Sequence, residues 1–323
     1  SEQRFTQLES QAAHSAAASE QRFTQLESQA AVLSLANRSL LDELEKSLKT
    51  LIESPSFPKK EKAASQALEI LAATKSFEMD AFYSALEAKW RGSLELIRER
   101  QSYYLPIIAE ARAAVAAIDA AQRPSFAGPH AETFEALFTG HGILDLASGR
   151  GEWLQLLKEQ GVPAVGVDLN QIFLSQCRER DLTVIDSDVI EFLRNAPPES
   201  VAVITGFHII EHLPFPILHE FVRQSLRVLK PGGIAIFETP NPRNILVSTL
   251  NFRLDPTHIN PINPDFIQFL LEQSGFSPVR LDFLSPYPPE FHVGSADDPL
   301  AHRFNELFYG PQDFAVIGTK RSA

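Results

Sequence analysis

Cysteine is nearly missing from this chain. A single Cys177 among 323 residues excludes a disulfide framework and a cysteine-rich zinc centre, and points to a reducing cytoplasm. Positive charge is short as well: 29 lysines and arginines face 41 aspartates and glutamates, giving a net charge of -12 and an isoelectric point near 5.3. That balance argues against a nucleic-acid backbone as the main partner. No apolar run nears the roughly 20 residues of a membrane span, and no signal peptide heads the chain. The sequence reads as soluble and cytoplasmic, with peripheral docking at the inner membrane through a partner left open. Its length allows one full core plus a smaller element.

Strand patterns are lacking in the front third, 1–121. "SEQRFTQLESQA" occurs at Ser1 and again at Ser19, a repeat of 18 residues. At about 3.6 residues per turn that is five whole turns, so both copies present Phe and Leu on one face. From Phe23 the apolar beat becomes heptads through Leu26, Ala30, Leu33, Asn37, Leu40, Leu44, Ser47 and Leu51. This is a coiled-coil seam with one polar Asn in the core, a device for register and strand number. A lone amphipathic helix packed on its own domain is the alternative, but the alanine-rich stripe is thin for that. The pattern predicts a coiled-coil rod over 1–54 that self-associates as a dimer or trimer, with more rod upstream of Ser1. Two prolines in "ESPSFPKK" end it. A helical connector over 55–128 follows, with helices near 60–75 and 79–121 and a kink at Pro106.

From 129 onward short apolar strands alternate with helical segments, the pattern of a doubly wound α/β sheet. "GILDLASGRGEWLQLLKEQG" reads as a strand ending near Leu146, a glycine-bearing turn and an amphipathic helix. Gly149 and Gly151 are expected to let a ligand approach the backbone where a Cβ would collide. "AVGVDLN" ends a second strand at Asp168, placed to accept ribose hydroxyls. The phosphate fingerprint G-x-G-x-x-G is missing, and Glu152 would repel a pyrophosphate, so a cationic nucleoside fits better than a dinucleotide.

These motifs resemble the class I S-adenosylmethionine-dependent methyltransferases, with "VIDSDVIEFL" and "LRVLKPGGIAIFETP" extending the match. The resemblance implies a Rossmann-like sheet of seven strands over 129–323. It implies S-adenosyl-L-methionine as donor, held by Asp145, Ala147, Gly149, Gly151, Asp168, Leu169, Asp188, Val189 and Phe207. Asp188 is expected at the end of strand three, facing the adenine. Ala147 stands where the family more often has glycine, and alanine is tolerated there if its φ is negative.

A closer resemblance covers Trp90 to Tyr287, through "RGSLELIRERQSYYLPII", "FHIIEHLPFPIL" and the block Asn241 to Phe276. These look like methyltransferases that cap bacterial O-antigen polysaccharides and are coupled to a coiled coil. The resemblance implies an O-methyltransferase that methylates a sugar hydroxyl at the non-reducing end and stops chain growth. A polysaccharide would be its acceptor, and a glycan polymerase or glycosyltransferase its partner.

His208, Glu211 and His212 follow the fourth strand in "VAVITGFHIIEHL", and "LDPTHINP" adds His258. Three imidazoles and a carboxylate form a plausible metal set. The pattern also resembles metal-dependent O-methyltransferases of the plant small-RNA and ubiquinone-pathway types, which carry E-x-x-E-H at this strand end. His208 replaces the first glutamate, which favours Mn²⁺, Fe²⁺ or Zn²⁺ over Mg²⁺. The same four residues are the expected catalytic group, with His208 as a metal-free general base, or a helix-capping role, as alternatives. Candidate substrate contacts are Arg91, Arg98, Tyr104, Asn251, Arg253, Asp255 and Tyr287, an arginine meeting an anionic sugar acid. Two rival functions remain: a small-molecule methyltransferase of quinone-pathway type, and a scaffold for a glycan polymerase or exporter with a residual methyltransferase fold.

Overall fold

The computed structural model describes residues 78–118, 126, 128, 130–295 and 297–322. The expected coiled coil over 1–54, its self-association and the helix near 60–75 lie outside the described residues. The chain divides into two compact units, the second running from Ser84 to Ala323, so residues 94–118, helical and preceding the sheet, belong to the same unit as the sheet.

The connector differs from the single kinked helix expected over 79–121. A helical segment over 78–90 stops at Gly92, whose φ of 106° is left-handed backbone. Ser93 then caps a new helix, α1 (Leu94–Gln101), its Oγ accepting from Leu96 N at 3.2 Å. A 3-10 turn, Ser102–Tyr104, leads into α2 (Leu105–Ile118). Pro106 sits in the first turn of α2, where its missing N–H costs nothing, so it starts a helix instead of bending one.

The remaining elements alternate. They are α3 (Ala131–Thr139), β1 (Ile143–Leu146), α4 (Glu152–Glu159), β2 (Ala164–Asp168), α5 (Gln171–Glu179), β3 (Val184–Asp186) and α6 (Val189–Asn195). Then come β4 (Val201–Phe207), α7 (Phe215–Val228), β5 (Leu229–Pro240), α8 (Ile245–Thr249), α9 (Pro264–Ser274), β6 (Phe276–Pro286), α10 (Pro299–Tyr309) and β7 (Pro311–Lys320). The seven strands form one sheet in the order β3-β2-β1-β4-β5-β7-β6. β1 to β5 run parallel, and β7 is antiparallel to both β5 and β6.

Period-two alternation splits the core. Ala235 and Phe237 of β5 join α3, α6, α7 and α9 on one face. Ile234 and Ile236 join Tyr104, Ile108, Ala111 and Val115 of the α2 stripe, with Trp153 and Leu157 of α4, on the other. Carried to the end of β5, the alternation sends Thr239 to the first face and Glu238 to the second. Among the described residues no helix is long and apolar enough to cross a membrane.

Candidate active site

The carboxyl ends of β1 and β2 form the first half of the site. Asp145 is buried in β1, and Thr205 Oγ1 donates to its Oδ1 at 2.7 Å. Burial pushes the Asp145 carboxyl up to about 7 against that hydrogen bond. Asp168 closes β2, where Gly149 N donates to its Oδ2 and Asn170 N to its Oδ1, both at 2.8 Å. Burial raises the Asp168 carboxyl and these backbone donors oppose the rise.

Two expectations about this loop are corrected. Ala147 has φ of 57°, not a negative value, so its Cβ stands in left-handed backbone that glycine would occupy without strain. Gly149 and Gly151 also serve different ends. A Cβ on Gly149, at φ 52°, would meet only Glu87 Oε2 at 3.9 Å, which leaves an open cradle for a ligand. A Cβ on Gly151 would strike Cys177 Sγ at 2.6 Å and Leu182 Cδ1 at 2.9 Å. Gly151 therefore seats α4 against the α5 region and is not a ligand-approach glycine. Asp188 lies two residues beyond β3, capping α6 through Oδ1 to Ile190 N and Glu191 N, each at 2.9 Å. Leu169 is exposed beside Asp168, and Val189 is half-buried against the core. Phe207 departs from its expected role as a donor contact. Its ring is buried with Tyr104 and Trp153 at centroid distances of 5.3 and 5.6 Å.

The second half lies past β4. His208 takes φ of 55°, and its N donates to Glu238 O at 2.8 Å. The chain then enters a 3-10 turn over Ile210–His212. Because His208 is left-handed, the turn begins after it, and its ring does not share a face with that of His212. Glu211, His212 and His258 do converge: one ligand atom from each lies within 4.8 Å of the others. Glu211 is fully buried. Thr239 Oγ1 donates to its Oε2 at 2.9 Å, while its Oε1 is met by two imidazoles, His208 Nδ1 at 3.2 Å and His258 Nε2 at 3.7 Å. His258 Nδ1 faces the Phe252 carbonyl at 2.8 Å, and its Nε2 lies 3.7 Å from Glu211 Oε1. A carbonyl only accepts, so Nδ1 carries the proton and Nε2 the lone pair. Burial lowers the His258 pKa, outweighing Glu211, which keeps the ring neutral as a ligand must be. A buried carboxylate oxygen facing a lone-pair nitrogen, with His212 beside them, fits a divalent cation.

His208, the fourth expected ligand, is held apart. Nδ1 lies 3.2 Å from Glu211 Oε1, while Nε2 lies 3.5 Å from Glu238 Oε1 and 4.0 Å from Asp313 Oδ1. Burial would lower its pKa, but Glu211 and Glu238 outweigh it and carry the ring up to about 10. A protonated ring has no lone pair to offer, and the converging ligand atoms are those of Glu211, His212 and His258, without His208. Burial would raise Glu211, and His208, His212 and His258 together pull it down to about 2.

Residues 119–281, half of the chain, match the family model of the methyltransferase domain. The chain belongs to this methyltransferase-domain family. It is 29% identical over 139 residues to a probable S-adenosylmethionine-dependent methyltransferase of Mycolicibacterium smegmatis, covering 42% of this chain and 52% of that protein. It is 33% identical over 107 residues to a ubiquinone biosynthesis O-methyltransferase of Methylococcus capsulatus, covering 32% of this chain and 44% of that protein. The chain thus spans about half the length of the curated relatives it matches. A solved S-adenosylmethionine-dependent methyltransferase from Archaeoglobus fulgidus is 29% identical, with a TM-score of 0.60 over 74% of this chain and 100% of that one.

The rim of the methyltransferase domain differs from the sequence reading. Tyr104 is buried, its hydroxyl donating to Glu238 Oε2, and is not an open substrate contact. Arg98 pairs with Glu159 at the far end of α4, away from the glycine loop. Arg91 pairs with Glu87 at 2.9 Å, and Glu87 in turn faces Arg150. Asp255 sits 3.8 Å from His258 Nε2 and accepts from Thr257, so it supports the histidines instead of meeting solvent. Asn251 Nδ2 donates to Tyr287 Oη at 3.2 Å, joining two residues named separately from sequence. Arg253 lies over the Phe252 ring at 5.7 Å. Sequence reasoning missed Glu238, Thr239, Thr257 and Asp313. The alternation in "IAIFET" was the one available signal, since it sends Glu238 and Thr239 to opposite faces of the strand tip.

Proposed function

We propose that this protein is an S-adenosylmethionine-dependent O-methyltransferase that acts, with a divalent cation, on a hydroxyl of a polyhydroxylated acceptor. The observation that carries the reading is the convergence of Glu211, His212 and His258, one ligand atom of each within 4.8 Å of the others, with the buried Oε1 of Glu211 facing the lone-pair nitrogen of His258. Glu211, His212 and His258 would hold the cation, which supplies acidity to an oxygen bound to it, as water falls from ~15.7 to about 7 on zinc. Thr239 and the Phe252 carbonyl fix the ligand atoms. Asp168 and the Gly149 cradle would hold the ribose and the backbone side of the donor. His208, 3.2 Å from Glu211 and 3.5 Å from Glu238, would offset their charge when protonated. Transfer forms one O–C bond, breaks one S–C bond and releases the hydroxyl proton to solvent.

For the acceptor we favour a sugar at the non-reducing end of a bacterial O-antigen polysaccharide, whose methylation would end chain growth. The support is the resemblance of Asn241 to Phe276 to chain-capping enzymes. Glu238 and Asp313 on the α2 side accept hydroxyl donors and repel an anion, so we take the terminal sugar to be uncharged, not a sugar acid. The heptads over 1–54 would couple the domain to a polymerase or glycosyltransferase. The relatives named for ubiquinone biosynthesis favour one rival, a catechol-type small molecule. Mass spectrometry of a neutral glycan and of a catechol, each incubated with enzyme, donor and Mn²⁺, separates the two. One added methyl on the terminal sugar supports the first reading, and methylation of the catechol alone overturns it.

A further inference from the structure

His212 is the one member of the cation set whose ring is not oriented by the backbone. Its Nδ1 lies 2.9 Å from Thr257 Oγ1. That hydroxyl lies 2.6 Å from Asp255 Oδ1, which also accepts from Thr257 N at 2.8 Å. We infer that Asp255 and Thr257 are positioning residues that lock His212 in the tautomer protonated on Nδ1, turning the Nε2 lone pair toward Glu211 and His258. This rests on the reading of Glu211, His212 and His258 as the cation set.

The argument is a count of protons. Asp255 Oδ1 already accepts from the Thr257 backbone N–H at 2.8 Å, which fixes that oxygen as an acceptor facing Thr257. As a carboxylate it only accepts. The Thr257 hydroxyl has one proton, and at 2.6 Å that proton goes to Asp255. Toward His212 the same oxygen has only lone pairs, so Nδ1 must be the donor. A neutral imidazole protonated on Nδ1 keeps its lone pair on Nε2, the atom left for a metal. The Asp255 loop thereby does for His212 what the Phe252 carbonyl does for His258. Both locks come from the segment 252–258, and Glu211 O accepts from Ile259 N and Asn260 N at 3.1 and 3.2 Å. One loop thus orients both imidazoles and is fastened to the third ligand's own backbone.

The test uses the full chain with Thr257→Val, Thr257→Ser and Asp255→Asn. Nitrogen NMR of the histidine-labelled, metal-free protein reads the tautomer, and calorimetric titration with Mn²⁺ reads affinity. Native protein and Thr257→Ser are expected to show His212 protonated on Nδ1. Thr257→Val and Asp255→Asn are expected to relax toward a mixture, since each frees the constraint on the hydroxyl proton. Mn²⁺ affinity should fall about ten- to a hundredfold in Thr257→Val and recover in Thr257→Ser. Thermal unfolding of each variant identifies a folding defect, and Asp255→Asn gives a second reading if Thr257→Val is damaged. Native His212 protonated on Nε2, or Thr257→Val with an unchanged tautomer, overturns the inference. If native protein binds no Mn²⁺, the cation reading fails while the NMR still decides the tautomer.

Discussion

His258 has one ring nitrogen committed to a carbonyl and the other aimed at a buried carboxylate oxygen of Glu211, in a cluster completed by His212. His258→Ala should lower Mn²⁺ affinity by at least about tenfold, and Thr239→Val, which frees Glu211 Oε2, by about ten- to a hundredfold, both read by calorimetry. Unchanged affinity in both contradicts the assignment. Asp145 gives a pH prediction. Its native carboxyl titrates at about 7, whereas an unfolded aspartate titrates near ~3.9. Between those values the native state holds a proton that the unfolded chain has lost, so this residue makes stability fall as pH rises. Asp145→Asn should flatten that limb in denaturant titrations run from pH 4 to 7. Ala147, at φ 57°, should tolerate glycine well: Ala147→Gly is expected to stabilise by about 0.5–1 kcal/mol, the left-handed strain less the entropy of glycine. A loss of stability on that change contradicts the strain argument.

Among the elements, Gly151 does more for the fold than for a ligand. With φ of 76° and Cys177 Sγ 2.6 Å from where a Cβ would sit, Gly151→Ala should cost about 2–4 kcal/mol by overpacking and left-handed strain together, read by chemical denaturation. The sheet itself was legible in sequence, because apolar runs of strand length such as "VAVIT" and "AVGVD" alternate with amphipathic helices. β2 ends on Asp168 and β4 just before His208, polar residues that mark the strand tips in sequence. The site was legible only in part. Glu211, His212 and His258 could be named because imidazoles and a carboxylate in short spacing suggest ligation. Glu238 and Thr239 read as the end of a strand, and only the pleat sends one to Tyr104 and the other to Glu211. Spacing on an assumed helical turn could not reveal that His208 stands in left-handed backbone, with φ of 55°. Asp313 comes from β7, antiparallel and distant in sequence, so no local pattern could bring it to His208. Gly92 likewise broke a helix whose apolar beat ran on through it.

Across the whole molecule, the site is assembled from parts well separated in sequence. The glycine loop follows β1, the cation set comes from the turn after β4 and the 252–258 loop with Thr239 of β5 behind it, and the acidic wall comes from β5 and β7. The connector helices close it through Tyr104 on Glu238 and Arg100 Nη1 at 3.9 Å from Asp313. For the rod over 1–54, sedimentation velocity on the full chain should give a dimer or trimer, and a monomer at micromolar concentration contradicts the coiled-coil reading. The most direct measurement of the central claim is methyl transfer to a neutral glycan or catechol acceptor before and after chelation, followed by re-addition of Mn²⁺. The account predicts activity that disappears with the chelator, returns with the ion, and does not return in His258→Ala. Full activity in the chelated native enzyme would contradict it.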